Sequence, residues 1–450
     1  MSDIVALLSC IEPFVSTKTR RQFSCIIAAM LAMSGRVTML GISRWAGKGG
    51  SYRTVQRFFS TALPWATLFW AFFRQHLFRP DDVYILAGDE VVVSKAGRRT
   101  HGLDRFFAGV FGRVIPGLAF FSLALVSTQQ RRAFPVRIEQ VVRSEAEKEA
   151  SKAKAAAKKA PQPAESRKPG RPKGSKNKTL ADITLSPELV RIQSMLKAQL
   201  ELMQGVIRVT YLVMDGHFGN HPALSMVRQC GLHLISKLRY DAALYLPYTG
   251  PYQGHGPRRK YGDKLDYHNL SEAYFKKTTT DKEIETRIYQ MQCLHKEFSQ
   301  PLNVVIIVKT NLQTQTRAHV ILFSSDLELA YDKLIDYYRL RFQIEFNFRD
   351  AKQYWGLEDF MNTSETAVTN AANLSLFMVN ISHHLLQDLR RTDPDCSILD
   401  LKALHRGAKY VIEAIKLLPQ KPEPVLLASI FNRLTALGRI HAGQPTTRSP

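Results

Sequence analysis

The chain has 450 residues, room for about three domains, and 45% of them are apolar, enough for a sizeable core. Lys and Arg number 62 against 39 Asp and Glu, a net charge of +23, which favours a polyanionic partner, nucleic acid above all, over a membrane surface. The longest apolar run, around Leu118 to Val126, is far shorter than the roughly 20 residues of a membrane helix, and the five scattered cysteines, with no CxxC, argue against a zinc site or disulfide framework and for a reducing, cytoplasmic setting.

Residues 1–80 read as helical. Phe23 to Met33 is an apolar helix. Val37 to Ala46, the glycine-rich turn Gly47-Lys-Gly-Gly50 and Ser51 to Ser60 have the pattern of a helix-turn-helix, whose second helix offers Tyr52, Arg53, Gln56 and Arg57 to DNA. The plainer alternative is an ordinary helical subdomain with a solvated basic face.

Residues 81–142 change character. Val83 to Ala87 is a short apolar run, read as a buried strand that ends in Gly88-Asp89-Glu90. Phe106 to Val114 and Leu118 to Ser127 read as two further strands, with Pro116-Gly117 as the turn between them. Residues 143–180 interrupt this pattern with low complexity. Between Arg143 and Lys178, twelve Lys/Arg against four Glu contribute +8. The stretch around Pro169-Gly-Arg171-Pro-Lys173 resembles an AT-hook, which places Arg171 and Lys173 in a narrow, electronegative minor groove. A basic linker that touches only phosphates is the alternative.

Residues 181–239 resume the α/β pattern. Pro187 to Gln204 is a helix, and Val206 to Met214 a buried strand ending in Asp215-Gly-His217. His221 to Cys230 is a helix and Leu232 to Leu238 a strand. Residues 240–326 are rich in Tyr, Gly and Thr and read as a β-rich insertion. Residues 327–360 hold one long helix, Leu327 to Trp355, started by a Ser325/Glu328 capping box and stopped by Gly356. On it Tyr338, Arg341, Glu345 and Lys352, at offsets of 3, 7 and 14, fall within roughly 60° of one another on a helical wheel. The neighbouring stripe of Tyr337, Leu340, Ile344 and Phe348 is the buried face. Residues 361–450 are helical again.

Three acids stand out: Asp89 and Asp215 at strand ends, and Glu345 on the late helix. Three converging carboxylates can hold two Mg²⁺ ions about 3.5–4 Å apart, a pair suited to phosphodiester chemistry. Each acid also has a plain reading. Asp89 and Asp215 suit turns, and Glu345 can pair with Arg341 one helical turn away.

The spacing Tyr338-(2)-Arg341-(3)-Glu345-(6)-Lys352 resembles the YREK signature of DDE transposases of the insertion-sequence-four group, bacterial cut-and-paste enzymes. Asp89 and Asp215 stand as the first two acids. The resemblance extends to the helical N-terminus, the β insertion before the glutamate and the helical C-terminus. It implies a mixed α/β fold: an RNase H-like catalytic domain with a β-rich insertion, between helical N-terminal DNA-binding and C-terminal domains. It further implies Asp89, Asp215 and Glu345 as ligands of two Mg²⁺ ions, with Mn²⁺ able to substitute. Tyr338, Arg341 and Lys352 would contact phosphates beside the scissile bond. The implied reaction is hydrolytic nicking followed by in-line attack of the freed 3′-hydroxyl. The implied partners are double-stranded DNA, as terminal inverted repeats and target, and a second copy of the chain, through the C-terminal helices. Some relatives use a tryptophan of the insertion to hold a flipped base, whereas residues 240–326 contain none; Tyr245, Tyr248 and Tyr252 are the aromatic candidates there. A catalytically silent DNA-binding regulator with the same fold is the competing expectation.

Overall fold

The computed structural model describes residues 4–150, 183–252 and 256–441, together with residues 153 and 254. Arg171, Lys173 and the AT-hook-like stretch lie outside the described residues. The fold is mixed α/β, built on a large mixed sheet. Its axis is strand β1 (Tyr84–Ser94), whose first five residues are buried. Such a continuous apolar run suits a central strand covered on both faces. After β2 (Asp104–Ala108), strand β3 (Arg113–Ser127) lies antiparallel to β1, from Tyr84 opposite Ser127 to Ser94 opposite Gly117. Strand β4 (Arg132–Val141) pairs with β3. On the other side β5 (Tyr211–Val213) and then β6 (His233–Lys237) run parallel to β1.

Strands β7 (Leu244–Pro247), β8 (Tyr261–Lys264), β9 (Phe275–Asp281), β10 (Ile284–His295), β11 (Leu302–Asn311) and β12 (Arg317–Ser324) follow. They extend the same sheet, because β12 pairs with both β11 and β6. Among the described residues the sheet has twelve strands, in the order β2-β3-β1-β5-β6-β12-β11-β10-β7-β8, with β4 on β3 and β9 on β10.

The N-terminal region is helical: α1 (Ile4–Leu7), α2 (Thr17–Ala32), α3 (Met39–Ala46), α4 (Tyr52–Phe59) and α5 (Trp65–His76). Helix α6 (Pro187–Met203) and α7 (His221–Gln229) flank β5 in sequence. Helices α8 (Tyr331–Arg341), α9 (Gln343–Tyr354), α10 (Glu365–Leu389), α11 (Ile398–Ile415) and α12 (Pro424–Ala436) complete the chain. Helix α10 is buried along most of its length. One side meets β4, where Asn380 Nδ2 donates to the Pro135 carbonyl at 2.8 Å. The other meets the N-terminal helices, where Phe23, Trp65, Phe69 and Phe72 surround Phe377 with centroid distances of 5.2 to 6.0 Å.

Asn370 is the polar fastener of that contact. It accepts from the Trp65 indole N–H at 2.7 Å and donates to the carbonyls of Phe59 and Thr61, both at 2.8 Å. It is 1% exposed, so Asn370→Ala strands an indole N–H and two carbonyls away from water. The expected loss is about 2–3 kcal/mol in urea unfolding; an unchanged midpoint would show that water replaces the amide.

Three expectations need correction. Pro116-Gly117 is no turn but lies inside β3; the chain reverses through the short 3-10 turn at Gly109–Phe111. Gly117 is there for close approach, since a Cβ on it would sit 2.4 Å from the Val93 carbonyl oxygen of β1. The helix expected over Leu327 to Trp355 begins only at Tyr331 and is interrupted at Phe342. Ser325 does not cap it: its hydroxyl accepts from the Leu234 N–H at 3.1 Å instead, tying the segment to β6. At the interruption the bonds shorten to i→i+3, Phe342 N to Arg339 O and Glu345 N to Phe342 O. Finally, the strand expected over Val206 to Met214 forms only over Tyr211–Val213, while β4 had no counterpart in the sequence reading.

Candidate active site

The parallel pairing of β1 and β5 puts Leu86 beside Leu212 and Ala87 beside Val213. Asp89 and Asp215 each lie two residues past their half of the second pair, so the register alone brings them to the same end of neighbouring strands. Asp215 caps the short 3-10 turn Gly216–Phe218, accepting from the His217 N–H at 3.1 Å. Its backbone carbonyl accepts from the Ser236 hydroxyl at 2.6 Å, which fixes the turn to β6. Asp89 accepts from the Glu90 N–H at 2.8 Å.

Helices α8 and α9 carry the third acid to the same place. Arg341 Nη1 donates to Asp89 at 2.8 Å and Nη2 donates to Glu345 at 3.0 Å. One guanidinium thus joins β1 to α9. The pairing of Arg341 with Glu345 anticipated from helical spacing forms, but as half of a bridge. Arg341 is 12% exposed, Asp89 20% and Glu345 41%, so the bridge lies where water screens it only in part.

Burial pushes the Asp89 carboxyl up to about 6; Arg341 and the Glu90 N–H oppose this, and Asp215 and Glu345 add to it. Asp215 and Glu345 thus lie near enough to Asp89 for their charges to act on it. Burial likewise raises the Tyr338 phenol, with Arg341 opposing and Asp215 and Asp89 adding to the rise. Tyr338, Arg341, Glu345, Asp89 and Asp215 therefore form one cluster.

Lys352 is held differently. Its Nζ donates to the Val92 carbonyl of β1 at 2.9 Å and pairs with Glu358 at 2.9 Å. Arg53 and Arg57 are on the exposed face of α4, opposite buried Val55, Phe58 and Phe59, and are not part of the cluster. His217 is 67% exposed and lies 3.6 Å from Glu188 of α6, a pairing that raises its imidazole. Glu188 and Glu358 carry no periodic or motif signal in the sequence; only the fold brings them to His217 and Lys352.

The three acids of the cluster offer carboxylate oxygens, the donor type that Mg²⁺ prefers. Among the described residues no three Asp, Glu, His or Cys side chains form a ready-made metal cage; one oxygen each of Asp89 and Glu345 is taken by Arg341. By donor chemistry the residues fit a hard divalent cation.

The sheet thus holds two acids at the ends of neighbouring strands, and a helix brings a third to the guanidinium that Asp89 binds. Residues 7–294, well over half the chain, match the family described as DDE superfamily endonuclease, and the chain belongs to that family. The match includes Asp89 and Asp215 and ends ahead of Glu345. No curated protein matches the chain. Membership implies nuclease or transposase activity on DNA, and enzymes of this type generally use divalent metals such as Mg²⁺. Among the described residues no helix is long and apolar enough to cross a membrane.

Proposed function

We propose that the chain is the transposase of a bacterial insertion sequence of the YREK type, which cuts DNA at the element's ends and joins them to a target. The observation that carries this reading is the Arg341 bridge between Asp89 and Glu345, residues 256 positions apart. The strand order, an antiparallel β1-β3-β4 meander with β5 and β6 parallel on the far side, supports an RNase H-like core.

Asp89, Asp215 and Glu345 would hold the divalent ions, which when bound supply Lewis-acid activation of the attacking oxygen and charge neutralisation at phosphorus. The protein's own residues do the rest. Arg341 presents two N–H donors to carboxylates and is placed to exchange one for a phosphate oxygen, the fork geometry that guanidinium offers both anions. Tyr338, whose phenol burial raises, keeps its proton at neutral pH and would donate a hydrogen bond to a phosphate oxygen. The exposed Arg53 and Arg57 of α4 grip the duplex away from the cut. Arg171 and Lys173 add affinity for A·T-rich minor groove. The protein works as a homodimer on two DNA ends in the bacterial cytoplasm, on the nucleoid.

The test is cleavage of duplex DNA carrying the inverted repeats that flank the gene, in Mg²⁺. The wild-type protein should nick at the repeat boundary, and Glu345→Gln should lose about 10³-fold in rate, the loss of several kcal/mol at roughly 1.4 per decade. Cleavage that survives Glu345→Gln at full rate would remove Glu345 from the site. Tight binding with no cleavage by the wild-type protein would favour the silent regulator.

A further inference from the structure

The turn that follows α9 is held from three sides. From the N-terminal region, the Val37 N–H donates to Asp359 at 2.9 Å and Arg36 Nε donates to it at 3.3 Å. From the end of β1, Lys95 donates to the carbonyls of Glu358 at 2.9 Å and Phe360 at 2.7 Å, with its ammonium 3.8 Å from the Phe360 ring centroid. From α9 itself, Lys352 pairs with Glu358 and bonds Val92 of β1. Gly356 (φ +79°) leaves α9 so close to Val37 that a Cβ would lie 2.4 Å from the valine Cβ.

The two ends of this clamp are informative. Val37 is one residue before Thr38, whose hydroxyl caps α3 by accepting from the Gly41 N–H at 3.1 Å. Helix α3 leads directly into α4, which bears Arg53 and Arg57. At the other end, Lys352 sits two turns beyond Glu345 on α9, and Val92 three residues beyond Asp89 on β1. One short turn therefore touches the start of the DNA-facing helix pair and both elements that carry bridged acids. Asp359 is the link to the former: its side chain is 26% exposed, and one carboxylate receives both donors.

We propose that Asp359 is a positioning residue for the cleavage reaction: by fastening the turn after α9 to Val37, it makes the placement of Glu345 depend on the docked N-terminal helices. This rests on the reading of the acid cluster given above. A carboxylate suits this place because it accepts from a backbone N–H and a guanidinium at once, with an oxygen for each. Displacements of about 1 Å in a reacting group can cost on the order of 10²-fold in rate, so loosening this turn shows in turnover before it shows in DNA affinity.

The experiment compares Asp359→Ala, Asp359→Asn and Glu345→Gln, using the same inverted-repeat duplex. Single-turnover cleavage, DNA affinity by fluorescence anisotropy in EDTA, and amide hydrogen exchange along Gln343–Tyr354 are measured on each. Asp359→Ala should lower the cleavage rate 10- to 100-fold with affinity within twofold of wild type, and exchange should quicken in α9 but not in β3. Asp359→Asn, which keeps an acceptor for the Val37 N–H but loses the charge facing Arg36, should fall between Asp359→Ala and wild type in both rate and exchange. If Asp359→Ala cleaves like wild type while Glu345→Gln is inactive, the positioning role fails and the active-site reading stands. If Glu345→Gln also cleaves like wild type, the reading beneath it fails. If Asp359→Ala loses rate only in step with global unfolding, or does not fold while Asp359→Asn shows neither a rate nor an exchange change, the role is overturned as merely structural.

Discussion

Asp89→Asn should abolish DNA cleavage and at the same time make the protein more stable. On the proposed reading the activity loss is expected at about 10³-fold or more, because an amide would not replace a carboxylate that holds a divalent ion, a role worth several kcal/mol. The stability gain comes from the same surroundings. Burial and two nearby carboxylates push the Asp89 carboxyl from an ordinary 3.8 to about 6. An acid whose folded value is raised binds more protons folded than unfolded between those two pH values, so its contribution to stability falls as pH rises through that window. The penalty is complete above about pH 6 and absent below about pH 4. An asparagine never carries it. In metal-free buffer at pH 7 the variant should therefore unfold about 1–3 kcal/mol later than wild type in urea, and the difference should vanish near pH 4. A variant less stable than wild type at every pH would mean that the Arg341 bond to Asp89 outweighs the cost of burying the charge.

Trp355→Ala is expected to be the most damaging single change away from the acids. The indole is fully buried, at the end of α9. Lys402 of α11 stands 4.7 Å from its ring centroid while donating to the Met30 carbonyl of α2 at 2.8 Å. One side chain thus sits between α9, the N-terminal helices and the C-terminal helices. Removing it leaves a large cavity and takes the aromatic face from a buried ammonium, for a loss of about 3–5 kcal/mol. Trp355→Phe should recover much of this. Chemical denaturation read by circular dichroism decides the matter, and a loss below about 1 kcal/mol for the alanine variant would mean that the surrounding helices collapse into the space.

The parts of this protein that could be read from its sequence are those where local pattern and tertiary role agree. Tyr84 to Ala87, four of the five apolar residues before Gly88, form the buried start of a strand because little else suits such a run ahead of a glycine and two acids, whereas Val83 lies outside the strand and is exposed. Arg53 and Arg57 face outward because Val55, Phe58 and Phe59 claim the inner face of α4. Local rules misled where a distant partner decided. Pro116-Gly117 has the chemistry of a turn, but the nearness of Val93 makes Gly117 a strand residue. Ser325 and Glu328 have the spacing of a capping box, but Leu234 takes the serine hydroxyl. The helix around Glu345 was expected whole, and only the structure reveals its interruption at Phe342. The clamp on Asp359 joins residues more than 300 positions apart, and no spacing rule reaches that far.

The continuity of the sheet also fixes a direction. Neighbouring strands rotate by roughly 20–25° relative to one another. Five steps separate β1 from β10, through β5, β6, β12 and β11. At that ordinary twist the accumulated turn is on the order of 100°, enough to set β10 and the hairpins on it crosswise to the strand that bears Asp89. The sheet acts as a corner bracket.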